Sequence, residues 1–465
     1  MESKQHGIGV MASYGMGKFL AEFLTGAYGA IAYKYYETTV GLSGLLVAIA
    51  TIIYSVWNAI NDPFIGFASN RKAPFSKILG KRFVWIILGL ALCAILFAII
   101  FGVPQSMRNT VATSPLAVFV WMVITICLYD ASYSLWEVNY QAVYPDKFRS
   151  QSERTKAAAI STGVGVLGVA AGFIVPPMFF DYDNPESFFT MGLIVAAITF
   201  IGIILLLPGI KETKEMIGRQ QVQAKRTKET AGEKMGFFTS MRKALQHKEL
   251  VSFVVLLFLY QSACMCMTSS IHYVGDYILN VPASGTTIIF AGMLIGALVS
   301  IPIWTAISKK MKNNQRLLIV ASLAMAVFAF PMTFISSSIG FTIFMALWGL
   351  GFGGFWTFMG PAMADVVDSI VVKEKKRQEG IYMGIRAFFM RFSIASQALV
   401  FYIVHEATGF DEHNITGLAK FGISLHMAAI PAIFFLLGAL YFYKTNILDP
   451  KTIENNRKKL ELLDI

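Results

Sequence analysis

Twelve stretches of this 465-residue chain are nearly unbroken runs of apolar side chains, separated by short polar blocks. They cover 10–35, 43–69, 83–103, 115–143, 157–178, 188–209, 249–279, 285–307, 317–335, 339–369, 379–405 and 422–443. A helix that crosses a bilayer needs about 20 mostly apolar residues. Each run is close to that length or longer, and the longest imply tilt or extension beyond the hydrocarbon. In lipid a helix satisfies its own backbone hydrogen bonds. The pattern therefore predicts an all-α integral membrane protein with twelve transmembrane helices.

The longest polar block, 210–248, is rich in Lys, Glu, Gln and Thr and divides the runs six and six. The predicted organisation is an N-terminal six-helix bundle over 1–209, a linker over 210–248, a C-terminal six-helix bundle over 249–443 and a tail over 444–465. Within the linker, Met235, Phe237, Phe238, Met241 and Leu245 are spaced for one face of a short amphipathic helix lying on the bilayer.

Composition agrees. Hydrophobic residues make up 55% of the chain and charged residues 14%, against roughly 25% charged in soluble domains. That excludes a soluble enzyme and a disordered chain. Cys93, Cys127, Cys264 and Cys266 lie inside apolar runs and read as small apolar side chains rather than a zinc site. The net charge of +11 is explained by placement. With both termini in the cytoplasm, 33 Lys and Arg fall on the cytoplasmic side and only Arg108 and Lys420 outside, as the positive-inside rule requires. The charge thus calls for lipid head groups rather than nucleic acid. The expected location is the cell membrane, multi-pass, as a monomer.

Six ionisable side chains fall deep in the runs: Lys18, Glu22, Asp62, Asp130, Glu137 and Arg391. Each costs about 3 kcal/mol at a lipid-facing helix centre, so together they must face protein or a wet cavity. Asp130, Ser134, Glu137 and Gln141 form one helical stripe at i, i+4, i+7 and i+11. Asn58, Asn61 and Asp62 share a face in the stretch Trp57-Asn58-Ala59-Ile60-Asn61-Asp62-Pro63. One carboxylate, two amide oxygens and a nearby hydroxyl are hard ligands suited to a proton or a small monovalent cation.

At these residues the chain resembles the glycoside–pentoside–hexuronide:cation symporters, the melibiose-permease-like family of the major facilitator superfamily. Four motifs carry the resemblance. The first is Tyr14-Gly15-x-Gly17-Lys18 with Glu22 and Val40-Gly41-Leu42-Ser43. The second is the Trp57–Pro63 stretch followed by Gly66, where the family usually reads W-D-x-x-N-D-P. The third is Asp146 to Lys156 with Glu153-Arg154-Thr155. The fourth is Met363-Ala364-Asp365-Val366-Val367-Asp368 with Lys373, Arg377, Glu379-Gly380-Ile381-Tyr382 and Arg391. The resemblance implies a symporter working by alternating access, with its substrate site near the midplane between two halves. It implies a cation site at Asp62, Asn58, Asn61 and Ser134. It implies a substrate site at Glu22, Glu137 and Arg391 with Lys18 close by; Gln141 and Asp130, on the same stripe as Glu137, join it as candidates. A cytoplasmic gate would involve Arg71, Glu153, Arg154, Asp365, Asp368 and Arg377.

Departures from the family pattern shape the expected cargo. Asn58 replaces the first acid of W-D-x-x-N-D-P, which favours proton coupling through Asp62, with sodium or lithium as the alternative. Thr162 stands where the family has a sugar-binding Arg, and Gln141 where it has a stacking Trp. The expected solute is small and polar, such as a sugar or glycoside. A lysophospholipid carrier on the same fold, or a non-transporting receptor or scaffold, stays open. Gly163-x-Gly165-x-x-Gly168 and Gly349-x-Gly351-x-x-Gly354 match a dinucleotide fingerprint but lie in apolar runs, where small residues mean close helix packing. No catalytic signature is present, so neither enzymatic activity nor a cofactor beyond the coupling ion, H+ or Na+, is expected.

Overall fold

The computed structural model describes residues 6–68, 80–213, 216–218, 237–311, 313–374, 379–445 and 450–463. It forms two compact units, Met1–Lys234 and Met235–Ile465. The first holds six long helices: α1 (Ile8–Lys34), α2 (Gly44–Ala68), α3 (Lys81–Ile100), α4 (Pro115–Lys147), α5 (Gln151–Ile174) and α6 (Pro185–Ile210). The second holds α7 (Lys248–Tyr273), α8 (Thr286–Met311), α9 (Asn314–Ala329), α10 (Ser338–Glu374), then α11 in two pieces (Glu379–Arg391 and Ser393–Thr408), and α12 (Gly417–Ser424 and Ile430–Thr445, joined by a π turn). Eleven of these are long and apolar enough to cross a membrane. The twelfth, α1, runs 27 residues; Gly, Tyr and the Lys18–Glu22 pair dilute its apolar character.

The two units repeat one plan. In the first, α1 packs on α5 and α6, α3 on α4 and α6, and α2 on α4. In the second, α7 packs on α11 and α12, α9 on α10 and α12, and α8 on α10. The repeat reaches the helix ends. Both α1 and α7 finish in a π turn, at Tyr35–Thr39 and Val274–Ile278. Each is followed by a left-handed residue, Gly41 (φ 78°) or Asn280 (φ 50°), the residue types that adopt that region most readily.

Glycines set the helix spacing. A Cβ on Gly168 would lie 2.7 Å from the Phe19 Cα, and one on Gly172 2.8 Å from the Phe23 oxygen, so α5 meets α1 backbone to backbone. Gly349, Gly351 and Gly354 play the same part between α10 and its neighbours α8 and α9. The second fingerprint match is thus a packing surface throughout, and of the first Gly165 and Gly168 face α1 while Gly163 faces open space.

Short polar sequences start several helices. Ser150 caps α5 by accepting from the Glu153 amide, Asn184 caps α6, Asn313 caps α9 and Thr416 caps α12. α5 therefore begins six residues before the apolar run at 157, and Gln151–Lys156 are helical. Of the linker, 214–215 and 219–236 lie outside the described residues, and Phe237–Ala244 forms a short helix.

Lys147 closes the end of α6. It is 5% exposed, and its Nζ donates to the Pro208 oxygen at 3.0 Å and the Lys211 oxygen at 3.2 Å. Hydrogen bonds to a charged group contribute about 1.5–3 kcal/mol. Lys147→Met should lower the melting temperature of the detergent-purified protein, with Lys147→Arg in between. A methionine variant that melts with the parent would remove the capping role.

Candidate functional site

The first unit buries a polar cluster between α2 and α4. Asn58 donates through Nδ2 to Asp130 Oδ1 at 2.7 Å and to the Tyr54 hydroxyl at 3.2 Å. Asn61 donates through Nδ2 to Asp130 Oδ2, while its Oδ1 accepts from Ser134 Oγ at 3.0 Å. Asn58, Asn61, Asp130 and Ser134 are all buried. The indole of Trp57 donates to the Cys127 oxygen at 3.1 Å and fixes the two helices in this register. Tyr28 on α1 covers the cluster, edge-on to Tyr54 at 6.0 Å and stacked with Tyr129 at 5.7 Å. Asp62 follows Asn61 on α2, and its side chain lies outside the described residues.

The structure thus brings together three of the four expected cation ligands and adds Asp130, which the sequence grouped with the substrate residues. The reason is depth. Along a helix rising about 1.5 Å per residue, Asp130 and Glu137 share a stripe but stand about 10 Å apart. The amides of α2 reach only the Asp130–Ser134 level.

Glu137 sits at the other level and accepts from Gln141 Nε2 at 3.0 Å. On α1, Lys18 Nζ pairs with Glu22 Oε1 at 2.6 Å; their side chains are 49% and 33% exposed, so both stay accessible to a ligand. The Tyr14–Lys18 motif explains their position. Gly15 lies against Ser161 and Val164, a Cβ on Gly17 would overlap the Tyr140 ring, and the Lys18 stem crosses Gly165, where a Cβ would come within 2.6 Å. Tyr133 lies within electrostatic range of both Glu22 and Glu137, and its hydroxyl accepts from Thr25 Oγ1 at 3.3 Å. Sequence reasoning missed Tyr133 and Tyr54; each stands four residues before a singled-out residue, Glu137 or Asn58, which was the available signal. Arg391 belongs to the second unit and ends the first piece of α11, at the break before Phe392.

Of the expected gate, Arg71 and Arg377 lie outside the described residues. Glu153 Oε1 accepts from the His6 amide at 2.9 Å and lies 2.7 Å from His6 Nδ1; Oε2 accepts from the Arg149 amide at 3.2 Å. With Ser150 this is the reciprocal arrangement of a capping box, shifted one residue outward. Arg154 donates to the Phe148 oxygen at 2.8 Å and the Pro145 oxygen at 3.3 Å, closing α4. Asp365 on α10 accepts from Asn314 Nδ2 at 3.0 Å, and Asp368 is half-buried one turn on. A further cluster went unforeseen: Arg82 pairs with Asp146 at 2.5 Å, and its amide donates to Glu212 at 3.0 Å.

Comparison with known proteins follows the same lines. The sodium-dependent lysophosphatidylcholine symporter 1 of Mus musculus is 22% identical over 475 residues, covering 95% of this chain and 86% of that protein. The lactose permease of Lactobacillus helveticus is 21% identical, covering 85% of this chain and 59% of that protein. Among solved structures, the D-xylose-proton symporter superposes with a TM-score of 0.61 at 16% identity, covering 96% of this chain and 98% of that one, which establishes the major facilitator fold. Residues 13–449 match the family described as MFS/sugar transport protein. The chain belongs to that family.

Proposed function

We propose that this protein is a cation-coupled symporter that moves a polar organic solute by alternating access, with the α2–α4 cluster as its coupling site. The observation that carries the reading is the buried carboxylate of Asp130, held by two amides and next to a hydroxyl. Turning either amide about its terminal torsion presents Oδ1 in place of Nδ2, so the same side chains offer hydrogen-bond donors to the carboxylate or oxygens to a cation.

The ion we favour is sodium. Asn58 removes a carboxylate from the family motif, but Asp130 supplies one that bonds directly to Asn58. Asp62 adds a second acid on the same helix by sequence. Two carboxylates suit a sodium ion better than one, and the mouse relative is described as sodium-dependent. Asp62→Asn should abolish uphill accumulation while leaving exchange; unchanged accumulation would remove Asp62 from the coupling site.

For the solute, Glu22, Glu137 and Tyr133 accept and donate hydrogen bonds as sugar hydroxyls require. The second reading is a lysophospholipid. It is favoured by the mouse relative, and by Lys18 and Glu22, whose opposite charges complement a zwitterionic head group. Both readings place the protein in the cell membrane as a monomer with cytoplasmic termini.

A melting-temperature screen separates them. Glycosides, pentoses, glucuronides and lysophosphatidylcholine would be added to purified protein, with and without sodium, across pH. A ligand at 100 times its Kd adds about 2.7 kcal/mol. A sugar shift that grows with sodium supports the first reading. A lysolipid shift alone moves the cargo to the second. A sugar shift that depends on pH and not on sodium overturns the choice of ion. Binding without exchange in proteoliposomes makes the protein a receptor.

A further inference from the structure

The second unit buries a pair of histidines that the sequence reading passed over. His405 lies near the end of α11 and His426 in the π turn Leu425–Ala429 of α12. They are 5% and 0% exposed. Their Nε2 atoms face each other at 3.1 Å. His426 Nδ1 lies 2.6 Å from Ser270 Oγ on α7, and that hydroxyl lies 2.6 Å from the Cys266 oxygen.

We propose that His405 and His426 form a one-proton binding site in the second unit, with a chemistry distinct from the carboxylate cluster of the first. A hydrogen bond between two Nε2 atoms needs one donor and one acceptor, whichever tautomers the rings adopt. The neutral pair meets that condition. One added proton also meets it: with Ser270 donating to Cys266, His426 Nδ1–H donates to Ser270, His426 Nε2 accepts from His405 Nε2–H, and the added proton sits on His405 Nδ1 and makes that ring the imidazolium. A second proton would put two donors nose to nose, so the pair takes one charge and refuses the next.

The surroundings suit a single buried cation. Phe410 stacks on His405 at 4.2 Å and 14°, Phe401 lies 4.2 Å from His426, and the Tyr273 ring lies 5.4 and 5.7 Å from the two imidazoles. Aromatic faces favour a cation that has lost its water. The other ionisable groups on the elements packed here are few. α7 presents Tyr273, and His272 on α7 turns instead to Thr286 and Phe290. The π turn after α7 carries the half-buried Asp276 and Tyr277, the latter against Phe410. Glu406 and Asp411 are exposed, and the Phe330–Phe334 turn brings no ionisable side chain. The π turn itself inserts an extra residue into α12, which sets the rotation of His426; such turns recur at functional sites.

Hydrogen–deuterium exchange at imidazole C2, followed residue by residue by mass spectrometry, reads the protonation of each ring in the intact purified protein. The exposed His413 serves as internal reference. Between pH 5 and 8, one ring of the pair should titrate and the other stay flat. In His405→Gln, whose amide can accept from His426, His426 should begin to titrate. Two independent titrations, or two flat profiles in the parent protein, would overturn the proposal, and neither result requires a variant that folds. The outcome does not depend on the ion or the solute of the first unit.

Discussion

Asp130→Asn is expected to eliminate uphill accumulation of the solute in proteoliposomes while leaving solute exchange in place. The substituted side chain has the same shape and cannot carry charge. One symported cation at a potential of 100 mV contributes about 2.3 kcal/mol, enough for roughly 50-fold accumulation of a neutral solute, since about 1.4 kcal/mol is tenfold. Losing the cation removes that whole ratio. Stability should fall by less. Asp130 now accepts from both Asn58 and Asn61, and an amide can replace only one of those acceptors. One buried donor is then left facing another, worth about 1–3 kcal/mol. The double variant Asn58→Asp with Asp130→Asn returns the acid to the position the family motif gives it, and should recover part of the accumulation. A single Asp130→Asn variant that accumulates as well as the parent would remove this carboxylate from coupling.

That experiment bears on how far the sequence could be read. The stripe of Asp130, Ser134, Glu137 and Gln141 was legible because helical periodicity lies along one helix. Its division into two levels was not, because the division depends on where α2 crosses α4, and no local pattern encodes that crossing. The same limit hid the histidine pair. His405 and His426 stand on different helices, and the π turn shifts the register by which His426 would be placed. Glu153 carries two signals at once. Ser150-x-x-Glu153 is a capping signal, yet the surrounding motif suggested a gate, and the structure engages Glu153 with His6 and the start of α5. The twelve helices were legible since they follow from apolar run length. α1 formed despite its polar pair because Gly165 makes room for Lys18 and the pair satisfies itself.

Glycine positions on α5 provide a test of that packing in which the same substitution takes opposite signs. Helix propensity alone favours alanine over glycine by about 1 kcal/mol. At Gly163 nothing lies within 4 Å of a built Cβ, so Gly163→Ala should leave the melting temperature unchanged or raise it slightly. At Gly168 the same methyl would lie 2.7 Å from the Phe19 Cα and 2.9 Å from its carbonyl carbon. Those are backbone atoms, which cannot rotate away as a side chain can. α1 and α5 would have to separate along their length, and α1 carries Lys18 and Glu22. Gly168→Ala should therefore destabilise the protein by several kcal/mol, at the upper end of single-substitution effects, and reduce the yield of monodisperse protein from detergent. Gly172→Ala, with a Cβ 2.8 Å from the Phe23 oxygen, should behave likewise. Size-exclusion profiles and melting curves of the three variants suffice. Equal stability at 163 and 168 would show that α1 and α5 do not meet through their backbones, and the placement of Lys18 over Gly165 would fall with it.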